Sequence, residues 1–110
     1  MSHPFHVYGA ALGLVSALRP TLEELVKSDR NLAYQLRRAA SSVVLNIAEG
    51  NRRTGKDRVH FFRIAAGSAA EVRAALQVAQ AWGSNGDAPA AEAELDRVLA
   101  MLWRLTHRRG

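Results

Sequence analysis

The chain has 110 residues, of which 48% are hydrophobic, and it carries a formal net charge of +5. This length allows one domain with a real core, and the hydrophobic content argues against disorder, so we predict a single domain over residues 1–110. The absence of cysteine excludes disulfides, thiolate zinc sites and cysteine nucleophiles and fits a cytoplasmic protein. No apolar run approaches the ~18 residues of a membrane span.

The first predicted helix covers about Pro4 to Lys27. Its spacing predicts one buried face made of Phe5, Tyr8, Leu12, Val15, Leu18, Leu22, Leu25 and Val26. Pro20 lies inside this pattern, where it removes a backbone donor and should kink or split the helix. Thr21 with Glu24 resembles a capping box that would favour a restart, but we predict one bent helix.

The second predicted helix follows a turn and runs from about Asn31 to Glu49, with Gly50 as its C-cap. When its residues are placed around a helix at about 100° per residue, a polar stripe lies beside an apolar stripe. The polar stripe comprises Gln35, Arg38, Ser42, Asn46 and Glu49, and the apolar stripe comprises Leu32, Leu36, Ala39, Val43 and Ile47. Because apolar residues flank these polar side chains, we interpret the polar stripe as a seam packed against other helices.

A short basic loop, residues 51–56, leads into the third predicted helix. Thr54 is placed to cap this helix, and the charge of Asp57 suits its N-terminal turn. The helix should extend to about Trp82 and end at Gly83. Its predicted core face comprises Phe61, Ile64, Ala65, Val72, Ala75, Leu76, Ala79 and Trp82, with Ser68 and Glu71 in the middle of that face.

The fourth predicted helix has Asp87 or Ala88 as its cap, Pro89 in its first turn, and an end near His107. It should bury Leu95, Val98, Leu99, Leu102 and Leu105. Four helices joined by short loops predict an all-α fold, an antiparallel up-and-down four-helix bundle.

Neighbouring second and third helices would bring the polar stripe close to Ser68 and Glu71. We predict a buried network in which Glu71 pairs with Arg38 while amide and hydroxyl groups complete the hydrogen bonds. The predicted structural network comprises Gln35, Arg38, Ser42, Asn46, Glu49, Ser68 and Glu71.

A catalytic or metal site would need carboxylates grouped with a histidine. Metal sites in bundles use Glu-x-x-His pairs, and no glutamate in this sequence has a histidine three residues later. We therefore predict no catalytic residue, no metal and no cofactor.

Two segments resemble a known family. The first is Q-L-R-R-A-A-S-S-V-V-L-N-I-A-E-G over residues 35–50, and the second is I-A-A-G-S-A-A-E over residues 64–71, preceded by Phe61 and Phe62. Together they resemble bacterial four-helix-bundle proteins, some of them encoded in intervening sequences of 23S rRNA genes. The accessory variability determinant of diversity-generating retroelements is a relative. The resemblance implies a homopentameric ring, no established enzymatic activity, and nucleic-acid binding through basic surfaces.

The candidate phosphate contacts are basic side chains in the second loop, on neighbouring helix faces and in the C-terminal tail. They are Arg37, Arg52, Arg53, Lys56, Arg58, Arg63, Arg104, Arg108 and Arg109. A ring would multiply weak contacts to RNA or DNA, and with no aromatic stacking platform or recognition helix, we expect binding with little sequence preference. The alternative is a protein-interaction scaffold that uses Trp82 and Trp103 and binds no nucleic acid.

Overall fold

The computed structural model describes residues 4–84 and 88–107. Its helices are α1 (Pro4–Ser28), α2 (Arg30–Asn51), α3 (Gly55–Ala81) and α4 (Pro89–Thr106), and the described residues contain no strand. α1 packs against α2 and α4, and α3 packs against the same two helices. The prediction of an all-α fold with four helices is confirmed.

The core is aliphatic, and among the described side chains it contains one fully buried aromatic ring, that of Phe62. The largest fully buried side chains include Leu14, Leu18, Leu25, Leu36, Ile47, Phe62, Leu76, Leu95 and Leu102. Alanines fill the remaining space between the helices, among them Ala11, Ala33, Ala65, Ala69, Ala79 and Ala91. Burying each large side chain stabilises the fold by roughly 1.5–3 kcal/mol, so the core supplies most of the driving force for folding.

Local sequence signals account for two of the helix boundaries. Asp29 separates α1 from α2, and its carboxylate accepts a hydrogen bond of 3.0 Å from the backbone N–H of Leu32. Gly83 follows α3 with a φ of +83°, and the N–H of Ser84 donates to the carbonyl of Ala79 at 3.0 Å. This is a Schellman ending, which needs a positive φ and therefore favours glycine, as predicted.

One predicted cap is wrong, and another is in place without its hydrogen bond. Gly50 does not end α2, because the helix continues to Asn51 and Gly50 is buried inside it. A Cβ at Gly50 would lie 2.6 Å from Cε1 of Phe62, so glycine is there to allow the close approach of α3. Thr54 occupies the N-cap position of α3, but its side chain makes no capping hydrogen bond.

α4 begins as predicted, with Ala88 at the N-cap and Pro89 in the first turn; Asp87 lies outside the described residues. Its buried positions also agree with the prediction at Leu95, Val98, Leu102 and Leu105, while Leu99 is partly buried.

α1 continues through Pro20, which confirms one helix rather than two. Its buried face agrees with the predicted one only at Leu18 and Leu25, and it otherwise comprises Val7, Ala10, Ala11, Leu14 and Thr21. Of the predicted face, Tyr8, Leu12 and Val26 are exposed, Val15 and Leu22 are half-buried, and the side chain of Phe5 lies outside the description. Because α1 has apolar residues on two adjacent sides, periodicity alone does not select the side that faces the core.

The core face of α3 is also rotated from the prediction. Phe62 is fully buried and Phe61 only half-buried, while Ile64 is 39% and Trp82 is 80% exposed. This rotation leaves Glu71 exposed at the edge of the junction with α2. The predicted positions Ala65, Val72, Ala75, Leu76 and Ala79 are buried, as is Ser68.

Candidate nucleic-acid interface

The polar stripe of α2 lies at the junction with α3, and its short side chains form a small hydrogen-bonded cluster. The hydroxyl oxygens of Ser42 and Ser68 are 2.8 Å apart. The Nδ2 of Asn46 donates to the Oγ of Ser42 at 3.0 Å and to its backbone carbonyl at 2.9 Å. Ser68 is buried and the other two are half-buried, so this cluster links α2 to α3.

The predicted buried pair between Glu71 and Arg38 is wrong. Both residues are exposed, and no hydrogen bond or ion pair joins them in the described part of the chain. Together with the exposed Gln35 they line a surface cavity of about 150 Å³. Because water solvates both charges there, neither charge needs burial with a partner. Glu49 also lies outside any buried network, since it pairs with Arg53 at 2.8 Å.

Arg58, a predicted phosphate contact, serves the fold instead. It is half-buried, and its Nε donates to the carbonyl of Gly50 at 3.1 Å. Its Nη2 donates to the carbonyl of Asn51 at 3.3 Å. The guanidinium therefore satisfies two carbonyls at the C-terminal end of α2, where positive charge is favourable.

Arg53 is also engaged within the chain. Besides its bond to Glu49, its Nη1 lies 3.9 Å from the Oδ2 of Asp57. Its guanidinium carbon stands 5.1 Å from the centre of the Phe61 ring, a cation–π distance. The remaining cations of the loop, Arg52 and Lys56, are exposed. The loop therefore offers fewer available charges than its sequence suggests.

The other candidates belong to the helices or to the C-terminal tail. Arg37 is exposed on α2, Arg63 on α3, and Arg104 in the last turn of α4. Arg108 and Arg109 fall outside the described residues. Arg58 apart, all of the described candidates are therefore exposed.

A groove of about 710 Å³ lies between α1 and α2, and sequence reasoning missed it. Apolar side chains line much of it: Val15, Leu18, Leu22, Val26, Ala33 and Ala40. Its polar and aromatic lining comprises Arg19, Arg30, Arg37, Glu23, Tyr34 and Ser41. The ring of Tyr34 is 61% exposed. A signal for part of this site was present, because Arg30, Tyr34 and Arg37 are spaced four and three residues apart and share one side of α2.

A second depression of about 390 Å³ continues along α2. It shares Tyr34, Arg37 and Ser41 with the groove and adds Arg38 and Leu45 to its lining. Leu45 is 67% exposed. The two depressions form one surface, named here the α1–α2 face, which combines apolar side chains with arginines.

The guanidinium groups of the α1–α2 face have no carboxylate partner in the described part of the chain. Arg19, Arg30, Arg37 and Arg38 are exposed, and none forms an ion pair within the described residues. Among the described side chains that line the two depressions, Glu23 is the one carboxylate. The face therefore has an excess of positive charge that suits an anionic partner.

The described part of the chain contains no group of three histidine, cysteine, aspartate or glutamate side chains arranged to hold a metal ion. Over the same residues, no helix combines the length and hydropathy needed to cross a bilayer.

Sequence comparison identifies one matching family. The profile of the 23S rRNA-intervening sequence protein family matches residues 4–104, which takes in nearly all of the four helices. No curated protein matches the chain. The family resemblance carried by the two motifs is thereby confirmed.

Proposed function

The chain belongs to the 23S rRNA-intervening sequence protein family, and from that premise we propose that it is a non-enzymatic, oligomeric, cytoplasmic protein that binds the backbone of RNA or DNA. The observation that carries this proposal is the α1–α2 face. Its arginines lack carboxylate partners within the described residues, so phosphates would supply the missing counter-charge.

Binding of this kind is driven by charge. Each phosphate that an arginine neutralises releases condensed counterions, so affinity falls as salt rises. Contacts to phosphate position a nucleic acid but read no sequence. We therefore expect affinity for many sequences, with a steep dependence on ionic strength.

Fluorescence anisotropy with labelled RNA and DNA at two salt concentrations tests this function. Arg38→Ala should weaken both complexes and reduce the slope of log K against log salt by roughly 0.7 to 0.9. Arg97→Ala is the matched control, because Arg97 is exposed on α4 and removes the same charge from another helix. Flat titrations of the parent protein at low salt, or equal losses in the two variants, would count against the proposal.

The helices of the proposed bundle run antiparallel, up and down, and copies of it assemble into a homopentameric ring. Two contacts support the antiparallel arrangement of α2 and α3. Ser42 meets Ser68, and further along α2 Gly50 meets Phe62, which lies earlier in α3. A ring would repeat the α1–α2 face around its axis and raise the avidity of weak phosphate contacts.

Exposed apolar side chains outside the groove support self-association. They are Tyr8 and Leu12 on α1, and Ile64 and Val78 on α3. Multi-angle light scattering should give the mass of five chains at micromolar concentration. A monomer would remove the ring and the avidity that depends on it.

A scaffold that binds proteins is the second candidate. Trp82 is 80% exposed, and Trp103 is 61% exposed while stacking on His107 with ring centres 4.3 Å apart. Exposed tryptophans are frequent anchors of protein interfaces. A pulldown that keeps a protein partner after nuclease treatment and loses it in Trp82→Ala would favour this function.

A further inference from the structure

We propose that the groove between α1 and α2 holds the bases of a single-stranded nucleic acid, with Tyr34 as the stacking surface. The protein would then bind single strands more tightly than duplexes. This inference rests on the proposed nucleic-acid binding and specifies the form of the ligand.

The first argument is the chemistry of the groove. Its volume of about 710 Å³ is suited to flat organic groups, and its apolar lining offers contacts that a phosphate cannot use. The lining includes Leu22 and Val26, which belong to the second apolar side of α1 and are not fully buried in the core. Nucleobases have the planar, weakly polar faces that such a surface accommodates.

The second argument is the position of Tyr34. Arg30 precedes it by one turn of α2 and Arg37 follows it by nearly one turn, at about 6 Å and 4.5 Å along the helix axis. Its 61% exposed ring makes no hydrogen bond or ring contact within the described residues. An available aromatic ring between two unpaired guanidinium groups is the combination that non-specific single-strand binders use.

The charge of the groove favours a nucleic acid over a second copy of this chain as its occupant. The chain carries a net charge of +5, and Arg19, Arg30 and Arg37 line the groove against the single described carboxylate of Glu23. A second copy docked through the same face would bring its own unpaired arginines, whereas a nucleic-acid strand brings one negative charge per nucleotide. A strand also carries charged phosphates on one side and apolar bases on the other, as the groove has most of its arginines on α2 and most of its large apolar side chains on α1.

The fourth argument concerns the form of the nucleic acid. In a duplex the base faces are stacked inside the helix, so Tyr34 and the apolar lining would have no partner. The arginines would contact the phosphates of either form. Tyr34 and the apolar lining of the groove would therefore provide the preference for single strands over duplexes. The arginines would provide the affinity that both forms share.

The test is anisotropy with one labelled single-stranded oligonucleotide and with the same oligonucleotide annealed to its complement. Tyr34→Ala should weaken single-strand binding by about 5- to 150-fold, the range of one lost stacking contact, and leave duplex binding unchanged. Tyr34→Phe keeps the ring and should bind like the parent protein. Since the side chain is exposed, both variants should fold, and their melting curves should overlay that of the parent.

Three results would overturn the groove assignment while leaving the proposed function intact. In Tyr34→Ala, these are an equal loss of affinity for single strand and duplex, no loss of affinity for either ligand, and a change in the mass measured by light scattering. The last result would show that a second copy covers the groove. If the parent protein binds neither ligand at low salt, the proposed function itself fails.

Discussion

Replacing Gly50 by alanine should destabilise the fold, although alanine is the better helix former. The added Cβ would lie 2.6 Å from Cε1 and 2.7 Å from Cδ1 of Phe62, far inside the roughly 3.5–4.0 Å of an optimal carbon contact. Phe62 is fully buried, so its ring cannot swing into solvent to make room. Either the ring or the α2–α3 spacing must change.

The expected loss follows from two opposing terms. Overpacking a well-filled core costs about 1–3 kcal/mol, whereas a glycine-to-alanine change inside a helix gains up to about 1 kcal/mol. The overpacking term should prevail, because the clash involves a fully buried ring. We expect a net loss of about 1–2 kcal/mol, with a lower midpoint of thermal unfolding by several degrees.

Urea denaturation followed by far-UV circular dichroism measures this loss. All variants should be compared at one protein concentration, because self-association makes stability depend on concentration. Gly9→Ala is the matched control: Gly9 is exposed on α1, and a Cβ there meets nothing within 4 Å. This control should be neutral or stabilising by up to about 1 kcal/mol.

A double-mutant cycle with Phe62→Leu locates the clash. If the ring is the obstacle, Gly50→Ala should cost less in the Phe62→Leu background than in the parent, with a favourable coupling energy of about 0.5–3 kcal/mol. A Gly50→Ala protein as stable as Gly9→Ala, or strict additivity in the cycle, would refute the reasoning.

Three further predictions separate structural polar groups from solvated ones. Arg58→Ala should lower the free energy of unfolding by about 1–2 kcal/mol, because two carbonyls at the end of α2 lose a charged donor. Arg52 is exposed, so Arg52→Ala should stay within about 0.5 kcal/mol of the parent protein in the same denaturation assay. Ser68→Ala should lower the free energy of unfolding by about 1 kcal/mol, and the double variant with Ser42→Ala should lose less than the sum of the two single losses. A double-mutant cycle in denaturant measures this, and full additivity would contradict a shared hydrogen bond. Glu71→Ala should change the free energy of unfolding by less than about 0.5 kcal/mol, since its carboxylate is exposed and unpaired within the described residues. A loss of several kcal/mol in thermal denaturation would restore the buried-network hypothesis.

The number of helices and most of their boundaries were readable from the sequence because they depend on local chemistry. Gly83 ends α3 through its own positive φ, and Asp29 caps α2 through a bond to a residue three positions away. Pro89 starts α4 because its missing N–H is harmless in a first turn. Most of the core face of α4 was predicted correctly, because Leu95, Val98, Leu102 and Leu105 fall on one side of the helix, although the buried Met101 was not predicted.

Tertiary structure alone decided which sides of α1 and α3 are buried and which charges remain available. Both helices are apolar on more than one side, so their rotation is set by the helices packed against them, and this rotation exposes Glu71. Gly50 was misread as a cap because its role depends on a ring from α3, twelve residues further along the chain. The groove likewise needs two helices side by side, because α1 supplies most of its apolar side chains and α2 supplies Tyr34 and its flanking arginines. Contacts between side chains distant in sequence have no periodic signature, and these features therefore became visible only in the folded chain.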